Sequence, residues 1–307
     1  MPEFRAEFDA EVTFLNGGAL QTQGFRLDVP GAGISEQQLA ALFVSHLGLL
    51  MVDEVRLTSR RVLEEPHKGS RPGPGGAPMT AQAPTARRLV ELSHPITAGM
   101  VTYPGLPGPE ITPHLTREDS RSHYAPGTEF AIDRITMVGN TGTYLDSPFH
   151  RYPGATDLAG LPLEAVADLP AAVVHLTGSG RRGIDVAALA ATEVAGRAVL
   201  LHTGWDRHWG TEQYGSGAPY LTGEGAQWLV DEGAALVGID SLNIDDADAD
   251  DHARPAHSLL LAAEIPVVEH MTGLDGLPAT GARFTAAPPR VADFGTFPVR
   301  AFASIPT

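Results

Sequence analysis

The chain reads as an α/β protein in two parts, a small N-terminal ββαβ domain and a larger domain with buried strands, and three observations predict this. Residues 1–66 run in the order strand, turn, strand, helix, strand. The stretch "HKGSRPGPGGAPMTAQAPTARR" that follows is rich in Pro, Gly and Ala and almost free of large apolar residues, the composition of a flexible linker. Beyond it, "RAVLLHT", "AALVGID" and "IPVVEHM" are continuous apolar runs of strand length, as expected of central strands buried on both faces.

In the first part, "FRAEFDAEVTFL" alternates apolar and polar residues, "NGG" supplies a turn, and "LQTQGFRLDV" reads as the returning strand. Ser35 is placed to cap a helix with Glu36 in its first turn and Leu39, Leu42, Phe43, Leu47 and Leu50 at helical spacing, a stripe expected to pack on the strands. "EVRLTSRRVLE" closes the unit as a third strand. This gives domains at 1–66 and 88–307 joined by a linker over 67–87, with a helix in the second domain near "EGAQWLVDEG". The first domain has no constellation of catalytic residues and is expected to be an accessory to oligomerisation, lid formation or docking.

With 307 residues and 43% hydrophobic content the chain can bury one large core or two unequal ones. No leader-like start and no run of roughly 18 apolar residues is present, so the expected location is the cytoplasm, away from any membrane. With no cysteine, His, Asp and Glu are the strong metal ligands left. A net charge of −16 argues against nucleic acid as a partner and points to a small molecule.

The chemistry concentrates in "NTGTYLDSPFH", residues 140–150. Alone, Asp146, Pro148 and His150 would suit an ordinary turn with a capping aspartate. In context, "GNTGTYLDSPFHRYPGATDLAGLPLEAV" resembles the H-x-G-T-H-x-D-x-P-x-H signature, with its Gly-containing loop and "LPL", of the cyclase family that includes kynurenine formamidases, isatin hydrolases and aromatic-polyketide ring cyclases. "LSHPITAGMVTYPG", "LLHTGWD", "VGIDSLNID", "VVEHMTGLDGLP" and "FPVRAFA" follow the same family in order, so the resemblance covers residues 88 to 305. It implies a swivelling β/β/α fold of the cyclase and kynurenine formamidase type, assembled as a homodimer or homotetramer.

The resemblance also implies a metal site of two signature histidines, the aspartate, and a distant His and Glu. Asp146, His257 and Glu269 match, and His150 matches the proposed acid/base histidine. Asn140 and Tyr144 stand at the two signature histidines, and neither a carboxamide oxygen nor a neutral phenol is a strong ligand.

Two enzyme readings follow. In the first, slightly preferred, no metal is needed: Asp146 and Glu269 are a carboxylate pair with at least one raised pKa, Tyr144 is an oxyanion donor, and His150 is the general acid or base. This describes a biosynthetic cyclase or lyase acting on an apolar, carbonyl-bearing intermediate of secondary metabolism. In the second, one divalent ion, zinc or manganese, on Asp146, His257 and Glu269 supports hydrolysis of an amide, lactam or lactone. A non-catalytic binding protein is a third reading.

Tyr103 and Phe149 are expected as pocket walls by resemblance, and Asn140 and Trp205 as further substrate contacts. The run "DSLNIDDADADD", residues 240–251, is expected to be a solvated loop, and His202 and His208 structural or exposed.

Overall fold

A computed structural model describes residues 3–15, 17–47, 49, 51–65, 87–178 and 180–306. The predicted linker, apart from Arg87, lies outside the described residues. The chain divides into two compact units, Met1–Ala81 and Gln82–Thr307.

Unit 1 has the predicted order: β1 (Glu3–Phe14), β2 (Ala19–Val29), α1 (Glu36–Leu47) and β3 (Val52–Glu65). The strands pair antiparallel in the order β2-β1-β3. α1 starts where the sequence places it, because Ser35 and Gln38 cap each other: Gln38 N donates to Ser35 Oγ at 3.2 Å and Ser35 N to Gln38 Oε1 at 3.0 Å. Two residues of the expected stripe pack on the sheet, Leu39 and Phe43, both fully buried and the Phe43 ring edge-on to Phe8 and Phe25 at 5.3 and 4.9 Å, whereas Leu42 and Leu47 are exposed and Leu50 lies outside the described residues.

Unit 2 contains β4 (Arg87–Glu91), β5 (Glu110–Leu115), β6 (Ile132–Thr136), β7 (Tyr144–Asp146), β8 (Leu169–His175), β9 (Gly183–Ile184), β10 (Ala198–His202), β11 (Tyr220–Leu221), β12 (Leu236–Ile239), β13 (Val267–Glu269), β14 (Thr280–Thr285), β15 (Thr296–Pro298) and β16 (Phe302–Pro306). Its helices are α2 (Arg117–Ser120), α3 (Val186–Leu189), α4 (Gly223–Asp231) and α5 (Pro255–Ala262). Among the described residues the core is a nine-stranded sheet in the order β15-β7-β13-β12-β10-β8-β14-β16-β4. The three apolar runs of the sequence become β10, β12 and β13, parallel neighbours at its centre.

Strand alternation sorts these runs onto two faces. Leu200, Leu236 and Val268 join one apolar cluster, whereas Val199, Leu201, Val237 and Val267 join the other, with Ala226 and Leu229 of α4 and Leu260 and Leu261 of α5. The site grows from this second, helix-covered face. Among the described residues no helix is long and apolar enough to cross a membrane.

Candidate active site

Register places three of the predicted residues together. β7 runs between β13 and β15, and Asp146 is opposite Val267 on one side and Thr296 on the other, with Tyr144 opposite Glu269. Leu145 points into the first cluster, so Tyr144 and Asp146 point the other way, toward the face that carries Val267 and Glu269. α5 covers that face and brings His257 down onto the carboxylates. His257 Nε2 stands 3.5 Å from Asp146 Oδ2 and 3.6 Å from Glu269 Oε1.

His257 is held in this pose by Asp245, a residue the sequence reading assigned to a solvated loop. The structure corrects that expectation. Asp245 is 2% exposed, and its carboxylate accepts from Ala256 N at 2.6 Å, His257 N at 3.1 Å and His257 Nδ1 at 2.7 Å. A helix beginning at Pro255 leaves its first amides unpaired, and here a carboxylate from an upstream loop satisfies them while fixing the imidazole. Asp240 of the same run is also buried, accepting from Thr203 N and Gly204 N, both at 2.8 Å.

The neighbouring hydrogen bonds fix where the protons sit. Asp146 Oδ1 accepts a short hydrogen bond from Thr296 Oγ1, and the same hydroxyl lies 2.7 Å from His150 Nδ1. A hydroxyl has one proton, and Asp146 can only accept while ionised. Thr296 therefore accepts from His150 Nδ1, which leaves Nε2 as the nitrogen not committed to Thr296. The close approach of this loop depends on Gly295, since a Cβ there would come within 2.6 Å of the His150 backbone.

Tyr144 is committed elsewhere. Its hydroxyl donates to Glu269 Oε2 at 2.6 Å and lies 3.3 Å from His270 Nε2, while His270 Nδ1 pairs with Tyr214 Oη at 2.9 Å. Successive strand residues face opposite sides, yet Glu269 and His270 both reach this phenol. His270 adopts φ 54°, in the left-handed region, which breaks the alternation at the strand end. The phenol proton is thus spent on Glu269 rather than offered to a substrate oxygen, which corrects the expectation of Tyr144 as an oxyanion donor.

The ionisation of the cluster follows from burial and mutual charge. Burial pushes Glu269 up to about 7 against the opposing pull of His257. Burial also works to raise Asp146, but the His257 imidazole 3.5 Å away and the hydrogen bond from Thr296 outweigh it and hold Asp146 below its usual value. For His257 burial acts downward, and Glu269, Asp146 and Asp245 together lift it well above the ordinary imidazole range. Burial, with Glu269 and Asp146 nearby, raises Tyr144 well above 10, so it is a neutral phenol.

The residues present fit a divalent cation. Asp146 Oδ2 is buried with no hydrogen-bond partner among the described residues. One ligand atom each from Asp146, His150 and His257 lies within 4.8 Å of the others. Asp146, Asp245 and Glu269 are at most 2% exposed around the His257 imidazole, buried carboxylates that a cation would stabilise in ionised form. Nδ1 of His257, tied to Asp245, leaves Nε2 as the coordinating nitrogen, the arrangement in which a carboxylate orients a metal-binding histidine.

Above this floor opens a cavity of about 500 Å³. Tyr103, Pro104 and Leu106 give it an apolar wall; Asn140, Asn243, Arg151 and Arg254 give it polar edges; Tyr144, His150, His257 and Glu269 line the rest. Phe149 and Trp205, expected to contact substrate, are not among its lining residues. In the 3-10 turn Pro148–His150 successive side chains diverge by about 120°, so the turn that presents His150 turns Phe149 away. Trp205 lines a separate cavity and donates its indole N–H to the Tyr214 carbonyl at 3.1 Å. His202 is nearly buried, its Nδ1 2.8 Å from that of His175.

The cyclase family profile matches residues 90–246, half of the chain. The chain belongs to the cyclase family. Among curated cyclase relatives, the kynurenine formamidase of Bordetella avium is 28% identical over 217 residues, 70% of this chain and 97% of that protein. An isatin hydrolase bound to the product analogue thioisatinate superposes with a TM-score of 0.62 at 22% identity, over 72% of this chain and 93% of that one. A structure described as a potential metal-dependent hydrolase with cyclase activity gives a TM-score of 0.57 at 24% identity, over 71% and 98%. The fold of unit 2 is therefore that of the cyclases, as the resemblance implied, and the chain is an enzyme of cyclase or hydrolase type rather than a binding protein alone.

Proposed function

We propose that this cyclase-family enzyme opens or closes an amide, lactam or lactone in a small, largely apolar molecule, with one divalent ion held by Asp146, His257 and Glu269. The observation that carries this reading is His257 Nε2 facing two buried carboxylate oxygens at 3.5 and 3.6 Å while Asp245 holds its other nitrogen. It favours the metal-supported reading over the metal-free one. When bound, such an ion would polarise a carbonyl oxygen and acidify water.

The chain's own residues supply the rest. His150 Nε2 takes a proton from the attacking group and returns it to the leaving one, with Nδ1–H anchored on Thr296. Tyr144 keeps Glu269 oriented through its phenol proton. Tyr103, Pro104 and Leu106 receive the apolar body of the substrate. A second copy of the chain as partner, a cytoplasmic setting and a place in secondary metabolism belong to the same proposal.

The test is turnover of aryl formamides, lactams and lactones by protein supplied with zinc or manganese, before and after chelation. Hydrolysis of at least one class, lost on chelation and restored by metal, supports the reading. Turnover indifferent to chelation would return the site to metal-free acid–base chemistry.

A further inference from the structure

Resting on the reading of Asp146, His257 and Glu269 as the metal floor, we propose that Tyr214 and His270 are positioning residues that lock the phenol proton of Tyr144 onto Glu269. Tyr144 occupies one of the two signature histidine positions, so a group that ligates has been exchanged for one that donates. A donor beside a carboxylate helps to orient it only while its proton has no other destination.

The proton order follows from counting donors. Tyr144 Oη donates to Glu269 Oε2 at 2.6 Å, which spends its one proton. His270 Nε2, 3.3 Å from the same oxygen, meets only lone pairs there and must itself carry a hydrogen. Burial keeps His270 neutral, its pKa lowered to about 3, so the ring has one proton and Nδ1 is bare. Tyr214 Oη, 2.9 Å from Nδ1, is therefore the donor. The hydrogen bonds run one way, from Tyr214 to His270 to Tyr144 to Glu269, and all four residues are at most 4% exposed.

In this chain Tyr214 selects the tautomer of His270. Without its hydroxyl the imidazole can carry its proton on Nδ1, and a bare Nε2 then competes with Glu269 for the proton of Tyr144. Glu269 would keep the amide of Ile244, at 2.6 Å from Oε1, and lose the donor on Oε2. Both upstream members are fixed by their own neighbours. The Tyr214 carbonyl accepts the Trp205 indole N–H at 3.1 Å, and the Tyr214 ring lies edge-on to Trp209 at 5.0 Å. The His270 carbonyl accepts from Thr143 Oγ1 at 2.6 Å. Such partners of a metal-binding carboxylate set its orientation, and bonds in series polarise one another.

The competing account is that the two rings only fill space beside Tyr144, in which case their polar atoms would not affect metal binding. The experiment has two readouts. The first is nitrogen NMR of histidine-labelled, metal-free, full-length protein at neutral pH, with His270 identified by the signals lost in His270→Gln. The wild type should show a protonated Nε2 and a bare Nδ1, and Tyr214→Phe should lose that pattern. The second is zinc affinity by chelator competition. Tyr214→Phe should weaken it by about three- to tenfold and Tyr144→Phe by about ten- to hundredfold. Added to Tyr144→Phe, Tyr214→Phe should change it by less than about twofold, because the chain is already cut. His270→Gln offers Tyr144 an N–H and Tyr214 a carbonyl, so it should stay within about threefold of the wild type, whereas His270→Phe should fall to the level of Tyr144→Phe.

A bare Nε2 in the wild type overturns the proposal, and that spectrum decides even if Tyr214→Phe does not fold. Wild-type zinc affinity in a folded Tyr214→Phe, or losses that multiply in the double variant, overturns it too and leaves the rings as packing. Each of these failures leaves zinc binding by the wild type intact. A wild type that binds no zinc would instead sink the metal reading, and the positioning role with it.

Discussion

Asp146, Glu269 and His257 at the cavity floor are held by regular structure on every side, whereas His150, Arg151 and Arg254 hang from a turn and a helix start at its edges. The floor side chains are at most 9% exposed; the His150 side chain is 36% exposed. The floor is expensive to change, because each group there satisfies or opposes another buried one. The edge is cheap to change in stability and costly in chemistry, because its groups are more exposed and border the cavity. The contrast separates what keeps the site assembled from what uses it.

The contrast is broken most severely at His150. His150→Gln should lower kcat by about 10²- to 10⁴-fold, the usual loss of a general base, while shifting unfolding by less than about 1 kcal/mol. Steady-state kinetics and urea unfolding on the same preparation check both halves; a variant that unfolds easily yet keeps its turnover would put His150 among the structural residues.

Asp245→Ala should show the opposite balance. Two helix amides and one imidazole nitrogen lose their acceptor, for about 3–5 kcal/mol of destabilisation by denaturant titration. A metal affinity weakened about 10- to 100-fold should accompany it, since the carboxylate no longer orients His257. Full stability in this variant would show that the helix start does not depend on Asp245.

Tyr144→Phe sharpens the comparison from inside the floor. Loss of the phenol leaves Glu269 Oε2 without its donor, with an expected cost of about 1–3 kcal/mol in thermal or chemical unfolding. Turnover should fall with metal occupancy and recover at saturating metal. A loss that no amount of metal restores would return the phenol to the substrate.

The smallest effect is expected at His94, stacked on Trp209 at 4.0 Å with burial lowering its pKa to about 4. A histidine depressed on folding contributes stability that is present above its unfolded value near 6.5 and is lost as the pH falls toward 4. His94→Phe keeps the stack and removes the titration, so its thermal midpoint should decline less steeply between pH 6.5 and 4. Parallel curves for the two proteins would exclude His94 as a source of acid sensitivity.

The same floor and edge differ in how much of them the sequence discloses. Strand identity was legible, because β10, β12 and β13 are covered on both faces and read as unbroken apolar runs. The residues Asp146, His257, Glu269 and His150 were legible through the signature and its spacing, and the structure brings them together. Asp245 was not, because composition registers an acidic run while the role of one member depends on a helix start ten positions later. Thr296 gave no local signal, because it acts through strand pairing with β7. Pro255 at the first turn of α5 was the available clue that His257 sits on a helix and not on a strand. Phe149 was placed by resemblance and Trp205 by the aromatic residues of its own stretch, and the turn geometry and an indole hydrogen bond direct them elsewhere.

The most direct test of the cation floor is metal stoichiometry by elemental analysis of full-length protein expressed with zinc and manganese, beside Asp146→Asn and His257→Ala. The account predicts about one ion per chain in the wild type and little in either variant, with the fold of both preserved by circular dichroism. A wild-type protein that takes up no ion at saturating metal, or variants that bind as much as the wild type, would contradict it.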